Sequence, residues 1–443
     1  MNKLLRFATG IGFAALTGLS AVAQGADLIS IHRLALQNDP QMHAAEAQRL
    51  ADMEAKPQAR SQLLPFVGLS AGYSRLNSNL DSSSALPAAN YNFNTAQWTV
   101  SLVQPIYHHQ YFAQLHQADA VLGRADAVYS AAQQALLVRS AQAYFGVLAA
   151  RDLLTFASAE KESIGRQLEQ AKQRFDVGLI AITDVHVAQA AYDLATARAI
   201  EAANKVQSAN EALFELTGEF VDGVSPLIRD VPLLPPQPAQ IDDWVKAAMD
   251  QNFNLIAARF GAEVAEQNVA LQRSGHYPTL DLVGSIGSTD YSSDAPPQQR
   301  GGENASIGLQ LNVPLYAGGA VNSRTRQAGF LYTQAKEQVE QQRRLTLRQT
   351  RDAYNAVIAA VNRVKALAQA RVSAASALEA TEAGMEVGTR TAVEVLTART
   401  DLYRAESDYA QARYDYLLNT LLLKQAAGTL SLPDLEQING WLM

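Results

Sequence analysis

Two stretches of this chain, Arg174–Gly218 and Gly384–Gly428, align without a gap at an offset of 210, and this duplication limits the possible folds more than any other feature. The first reads RFDVGLIAITDVHVAQAAYDLATARAIEAANKVQSANEALFELTG, the second GMEVGTRTAVEVLTARTDLYRAESDYAQARYDYLLNTLLLKQAAG. Val177 matches Val387, Gly178 matches Gly388 and Gly218 matches Gly428, while Asp176 and Asp184 meet Glu386 and Glu394. In each copy a glycine interrupts helix-favouring residues, which is where a chain reverses at low steric cost. Each copy therefore reads as the tip of a helical hairpin followed by the returning helix. Alanines at 181, 188, 195, 202 and 209 keep a seven-residue spacing, so the first returning helix holds a narrow small-residue seam against a neighbour.

The duplication reaches further. Ala35, Ala44, Arg60, Ser61, Pro65 and Leu69 recur 213 places on as Ala248, Ala257, Arg273, Ser274, Pro278 and Leu282, and Pro105 and Tyr107 recur 209 places on as Pro314 and Tyr316. The expected division is a signal segment over 1–23, a first repeat over 24–218, a proline-rich linker over 219–240, a second repeat over 241–428 and a short tail over 429–443 that packs near the linker. Each repeat holds a helical entry, two strands and a long helical hairpin.

Lys3 and Arg6, an apolar run and then Ala21-Val22-Ala23 form the layout of a cleaved secretory signal. Gly10, Gly12 and Gly18 break that run, which argues against the alternative of an N-terminal membrane anchor. The 443 residues contain no cysteine, which excludes disulfides, a thiol nucleophile, thiolate metal sites and a lipid-modified cysteine. A net charge of −7 argues against nucleic acid as a partner.

LISIHRLALQNDP reads as a short helix ending at Asn38-Asp39-Pro40, followed by a second helix that Pro57 kinks and Pro65 stops. At Pro65 the period changes to two: Val67, Leu69, Ala71 and Tyr73 alternate with Gly68, Ser70, Gly72 and Ser74. The Ser/Asn/Ala-rich segment Asn77–Asn94 reads as a loop, after which Trp98, Val100 and Leu102 alternate with polar residues up to Pro105. Leu280, Leu282, Gly284 and Ile286 repeat the pattern, then a polar loop containing APPQQRGG, then Ala305, Ile307, Leu309, Leu311 and Val313.

Strands of about ten residues, apolar on one side only, are the signature of a transmembrane β-barrel. The alternative is two β-hairpins lying on a soluble helical core. Four strands cannot close a barrel whose smallest members have about eight, and open edges are not tolerated in lipid. Strands of this kind in a membrane therefore require several chains to share one barrel. No proline falls between Pro105 and Pro226 or between Pro314 and Pro433. Each half thus contains an ascending helix of roughly 65 residues, about 100 Å long, suited to the wall of an assembly.

No P-loop, GxSxG elbow, HExxH or dinucleotide turn is present, so neither an enzyme nor a cofactor is expected. His108, His109 and His116 are the nearest approach to a metal cluster, but three or four converging ligands are the usual requirement.

ARSQLLPFVGLSAGYSR (59–75), VPLYAGG (313–319), FDVGLIAITDV (175–185) and VGTRTAVEVL (387–396) resemble the TolC-type outer-membrane efflux and secretion channels of Gram-negative bacteria, across essentially the whole mature chain. The resemblance implies an α+β membrane protein: a homotrimer with one 12-stranded barrel, four strands per chain, continued by a periplasmic α-helical tunnel. It implies partners too, namely a periplasmic adaptor and an inner-membrane pump of RND, ABC or MFS type, exporting drugs, small toxic compounds or proteins. Val177, Gly178, Leu179, Val387, Gly388 and Thr389 match the tip grooves that receive the adaptor. Asp184 with Thr183, and Arg390 on the neighbouring hairpin, match the gate. Glu394 matches an acidic ring at the constriction, and Asp401 lies one heptad further on. Met385 and Thr397 depart from the family, standing where a closing tyrosine and a second acidic ring occur. A poreless periplasmic coiled-coil scaffold is the competing reading.

Overall fold

The structure is a computed structural model that describes residues 25–80, 89–296 and 299–443. The expected signal segment, the middle of the first polar loop and two residues of the second lie outside the described residues.

In the first half, α1 (Leu28–Asn38), α2 (Pro40–Met53) and α3 (Ala55–Ser61) lead into β1 (Phe66–Leu80), β2 (Ala89–His108), α4 (His109–Asp176) and α5 (Ile182–Thr217). The second half repeats the order as α6 (Ile241–Gln251), α7 (Phe253–Arg273), β3 (Thr279–Tyr291), β4 (Gly302–Asn312), α8 (Ala320–Glu386) and α9 (Ala392–Ala426), and α10 (Leu432–Asn439) closes the chain. Helices α4 and α8 run for 68 and 67 residues, close to the length set by the proline-free stretches.

Pro57 does interrupt the first half, but the break falls at Glu54 and not at the proline. A proline ring clashes with the carbonyl four residues back and offers no N–H to it, so the fault appears upstream. In the second half, where no proline intervenes, α7 is continuous for 21 residues.

The four strands form one antiparallel sheet in the order β1-β2-β3-β4. Leu69 faces Val100, Val100 faces Ile286, and Leu282 faces Leu309 across successive ladders, so one side of the sheet carries an apolar band, with Gln104 opposite Leu282 at the end nearer the helices. Ser70, Thr99, Ser101 and Ser285 lie on the other side, where the Ser285 and Ser306 hydroxyls hydrogen-bond at 2.9 Å. The alternation read from the sequence therefore holds across all four strands. The Asn77–Asn94 loop is a correction: β1 continues to Leu80 and β2 already begins at Ala89. Ladder bonds are made by backbone and tolerate Ser and Asn wherever neither face must be apolar, so polar composition hid these strand ends. Among the described residues, the outer strands β1 and β4 each leave one edge unpaired.

The main core sits at mid-height, where α1, the linker and α10 gather around α4, α8 and α9. Leu28, Ile31, Tyr144, Phe145, Val361, Leu417, Leu421 and Leu435 are buried there. The tail packs on the linker as expected: the Ile228 amide donates to the Trp441 carbonyl at 2.9 Å, and the Met443 amide to that of Pro226 at 2.9 Å. Ala188, Ala195 and Ala202 are buried along α5, so the heptad seam lies against α4. Toward the tips the helices neighbour one another in the order α5, α4, α9, α8; toward the sheet, α2 and α3 replace α5, and α7 replaces α9.

Candidate functional site

The long helices end in two tips that close in the same way. At the first, Gly178 takes φ +77°, its amide donates to the Phe175 carbonyl at 2.8 Å, and the Leu179 amide donates to that of Arg174 at 2.9 Å. At the second, Gly388 takes φ +80°, with Gly388 to Met385 at 3.2 Å and Thr389 to Gly384 at 2.8 Å. This pair of bonds around a left-handed residue satisfies carbonyls that a helix end leaves open. A Cβ on either glycine would meet nothing within 4 Å, so in the isolated chain the backbone angle, and not space, calls for glycine.

Around them Val177, Leu179 and Val387 are 69%, 73% and 75% exposed, with Ile182 and Val393 also exposed. Large apolar side chains at a chain reversal gain nothing from the turn itself. They form two crests without a partner among the described residues.

On their returning sides the tips differ. Helix α5 starts after Ala181, which has no side chain to cap it, with Thr183 exposed and Asp184 in the first turn. Helix α9 starts after Thr391, whose hydroxyl accepts from the Glu394 amide at 3.3 Å while the Glu394 carboxylate accepts from the Thr391 amide at 2.7 Å. That reciprocal cap satisfies two open donors, and Thr391-x-x-Glu394 is its sequence signature. Glu394 therefore has a structural role beyond the constriction ring expected from the resemblance.

Arg390 lies across the same turn, 2.9 Å from Glu394, with its aliphatic stem over Gly384, where a Cβ would come within 2.6 Å of it. The Thr391 amide, the Arg390 guanidinium and the Thr391 hydroxyl together hold the Glu394 carboxyl below the usual carboxylate range. Within one chain Arg390 thus pairs with Glu394, and no bond joins it to Asp184 among the described residues. Asp401 is exposed, 3.9 Å from Arg404.

At the other end of α4, His108 Nε2 lies 2.8 Å from Asp281 Oδ1 and its ring stacks on Tyr111, while the His109 ring tilts against Tyr277. These contacts join the sheet to the helix that follows it. Among the described residues no three metal-ligating side chains converge. No helix among them is long and apolar enough to cross a membrane.

The model of the outer membrane efflux protein family matches residues 31–219 and 244–429, one match in each half. The chain is 41% identical to the outer membrane protein TolC of Vibrio cholerae over 100% of its own length and 99% of the relative's. It is 37% identical to the TolC of Escherichia coli over 100% and 90%, and 31% identical to the alkaline protease secretion protein AprF of Pseudomonas aeruginosa over 99% and 91%. Among solved structures, the Campylobacter jejuni CmeC outer membrane channel superposes with a TM-score of 0.79 at 16% identity, covering 100% of this chain and 98% of that one. The outer membrane protein VceC of Vibrio cholerae gives 0.76 at 21% identity, covering 90% and 96%. With one family match in each half, relatives aligned from end to end and a shared fold of sheet and paired helical hairpins, this chain is a member of the outer membrane efflux protein family.

Proposed function

We propose that three copies of this chain close a single 12-stranded outer-membrane barrel and continue it as a helical tunnel across the periplasm, exporting drugs, small toxic compounds and secreted proteins. The observation that carries this reading is the sheet: apolar on one face, polar on the other, with two unpaired edges. Lipid tolerates no open edge, and matching edges on identical chains close by rotation. Exposed Phe330 and Val372 on α8, and Leu194 and Ile200 on α5, supply apolar surface where neighbouring chains would meet.

Relatives named for efflux and for protease secretion support both kinds of cargo. In this reading the chain has no catalytic chemistry. A pump of RND, ABC or MFS type in the inner membrane drives transport, and a periplasmic adaptor seats on the crests formed by Val177, Gly178, Leu179, Val387, Gly388 and Thr389. Asp184, Thr183 and Arg390 hold the tunnel end closed between neighbouring hairpins, and Glu394 and Asp401 face its narrow neck.

The test is extraction of the outer membrane in detergent, with chain count from chemical crosslinking and conductance in planar bilayers. A trimer that conducts is expected. A monomer, or a trimer without conductance under any voltage, sinks the proposal and favours the poreless scaffold.

A further inference from the structure

We propose that each subunit carries a binding pocket for a small zwitterionic aromatic molecule between α4, α5 and α9, with Arg404 taking the ligand's carboxylate, Asp408 its ammonium group and the Tyr403 and Phe156 rings its aromatic body. That the pocket opens into a tunnel rests on the channel reading above; the binding itself does not.

Helices α5 and α9 flank α4 and meet over it where Ala195 and Leu396 pack with Ile164. Farther from the tips they part, and α4 floors a pocket of about 270 Å³ between them. Leu153, Phe156, Ala157 and Ala202 supply its apolar lining. Sites for drug-sized ligands run from about 300 to 1,000 Å³ and combine an apolar hollow with a few convergent polar groups. This pocket falls at the small end of that range, near the size of one aromatic amino acid.

Its polar groups divide into two sets. Glu160 of α4 is buried, and one of its carboxylate oxygens takes Arg198 of α5 at 3.2 Å and the Thr400 hydroxyl of α9 at 2.9 Å. Glu201 pairs with Lys205 at 3.0 Å. These charges are answered within the chain, so they hold the shape of the pocket and leave selection to other groups.

On the α9 wall the charges are open. Arg404 comes no nearer than 3.9 Å to Asp401, which is beyond hydrogen-bond reach. Among the described residues Tyr403, Ser407 and Asp408 line the pocket with no side-chain partner. Arg404 and Asp408 stand one turn apart on one helix face, about 5.4 Å along the axis, which suits a ligand whose two charges sit close together, as on an amino acid. A guanidinium recognises a carboxylate through paired hydrogen bonds, and the Tyr403 and Phe156 rings offer a ligand ring the offset or edge contacts that aromatic groups favour.

Glu394, Asp401 and Asp408 follow one another at seven-residue spacing and share one face of α9. In the channel reading that face lines the tunnel, so three copies of the pocket open to passing cargo. A site along a conduit must bind strongly enough to be entered and weakly enough to be left.

The test measures binding of radiolabelled L-tryptophan to the full-length trimer by equilibrium dialysis. Tryptamine, which lacks the carboxylate, and indole-3-propionate, which lacks the amine, serve as competitors. L-tryptophan is expected to bind about five-fold tighter than either, the upper value for one exposed ion pair. Arg404→Gln should erase the advantage over tryptamine and keep that over indole-3-propionate, Asp408→Asn should do the opposite, and Tyr403→Ala should weaken all three, each in normally assembled trimers. No saturable binding to the parent, or unchanged selectivity in both charge variants, overturns the site. In planar bilayers L-tryptophan should lower the parent's conductance and leave that of the Arg404→Gln, Asp408→Asn double variant unchanged. A conducting parent that L-tryptophan does not affect overturns the placement in the tunnel. Selective binding to a trimer that never conducts keeps the site and removes the channel reading.

Discussion

Asp39 and Asn252 occupy equivalent places in the two halves, each capping the helix that leads toward the sheet, yet they anchor it differently. The Asp39 carboxylate accepts from the Met42 amide at 3.1 Å and pairs with Arg139 of α4 at 2.5 Å. Asn252 accepts from the Leu255 amide at 3.1 Å and donates to the Ala426 carbonyl at the end of α9 at 2.9 Å. One half uses a charge where the other uses an amide. The tips show the reverse: the second carries the Thr391–Glu394 cap and Arg390, the first an alanine and a lone Asp184. What both copies retain is what the backbone demands, a left-handed glycine after each long helix and a side-chain acceptor at each entry helix. Charge has been redistributed over that frame.

The comparison breaks most severely in the sheet, where the halves should behave alike. Leu69 and Leu282 are equivalent and both lie on the apolar face. Leu69→Arg and Leu282→Arg are each expected to cost ~2 to 4 kcal/mol at the bilayer midplane and to block assembly, as should Leu309→Arg. Ser285→Arg and Gln310→Arg, on the polar face, should assemble and change conductance. Equal tolerance at all these positions, scored as detergent-resistant trimer, removes the barrel assignment.

Next comes the difference between the entry caps. Asp39→Ala strands Arg139 beside a buried site and should cost about 3 kcal/mol, against about 1 kcal/mol for Asn252→Ala, read from denaturant midpoints. Burial acts to raise the Asp39 carboxyl, but Arg139, with the Met42 and Gln41 amides, outweighs it and leaves it below the usual range. A depressed carboxyl contributes stability above its unfolded value, near 3.9, and loses it as pH falls through the folded value. The gap between the parent and Asp39→Asn should therefore be full at pH 7 and shrink below pH 4, while Asn252→Ala shows no such dependence. A pH-independent gap would mean that the ion pair does not stabilise the first half.

At the tips the expected effects are smaller. Thr391→Ala should lose about 1 kcal/mol of cap stability, and Ala181→Ser should gain a similar amount in the first copy. Leu179→Asp and Val387→Asp, which spare both glycines, should leave trimers intact and abolish adaptor crosslinking. If crosslinking survives in both, the crests are not the docking surface.

The finest distinction lies in charge at the proposed neck. Arg390 offsets Glu394 in each chain, so Arg390→Ser should raise both conductance and cation selectivity, and Glu394→Gln should lower selectivity. With its carboxyl held below the usual range, Glu394 should keep the parent's selectivity constant between pH 7 and pH 5. In the proposed gate Asp184 links to the neighbouring hairpin, so Asp184→Ala should also raise conductance and add little to Arg390→Ser. Parent-like conductance in either single variant with normal assembly removes the gate.

Much of this was legible in the chain because it is enforced locally. Proline-free stretches set the lengths of α4 and α8, period-two alternation set the strand faces, and paired glycines marked the tips. The polar ends of β1 and β2 were not legible, since a ladder above the apolar band leaves no hydrophobic trace. Thr391-x-x-Glu394 carried a readable cap signature that a functional expectation for Glu394 overshadowed. The pocket beside Arg404 and Asp408 gave no signal: Glu160 and Thr400 join there from different helices, and no local pattern encodes a contact between residues 240 places apart.

The β2–β3 ladder pairs Val103 with Val283 and Thr95 with Tyr291, whereas each helical hairpin is made of residues adjacent in sequence. Contacts between distant segments form late, because the loop-closure entropy must be met before they contribute. The two hairpins are therefore expected to zip first and independently, with the central ladder following as the halves dock. The outermost strand edges come last of all, since they can be satisfied only in a second-order encounter with other chains. Chain concentration at the membrane, more than any intramolecular step, then sets the pace at which the finished pore appears.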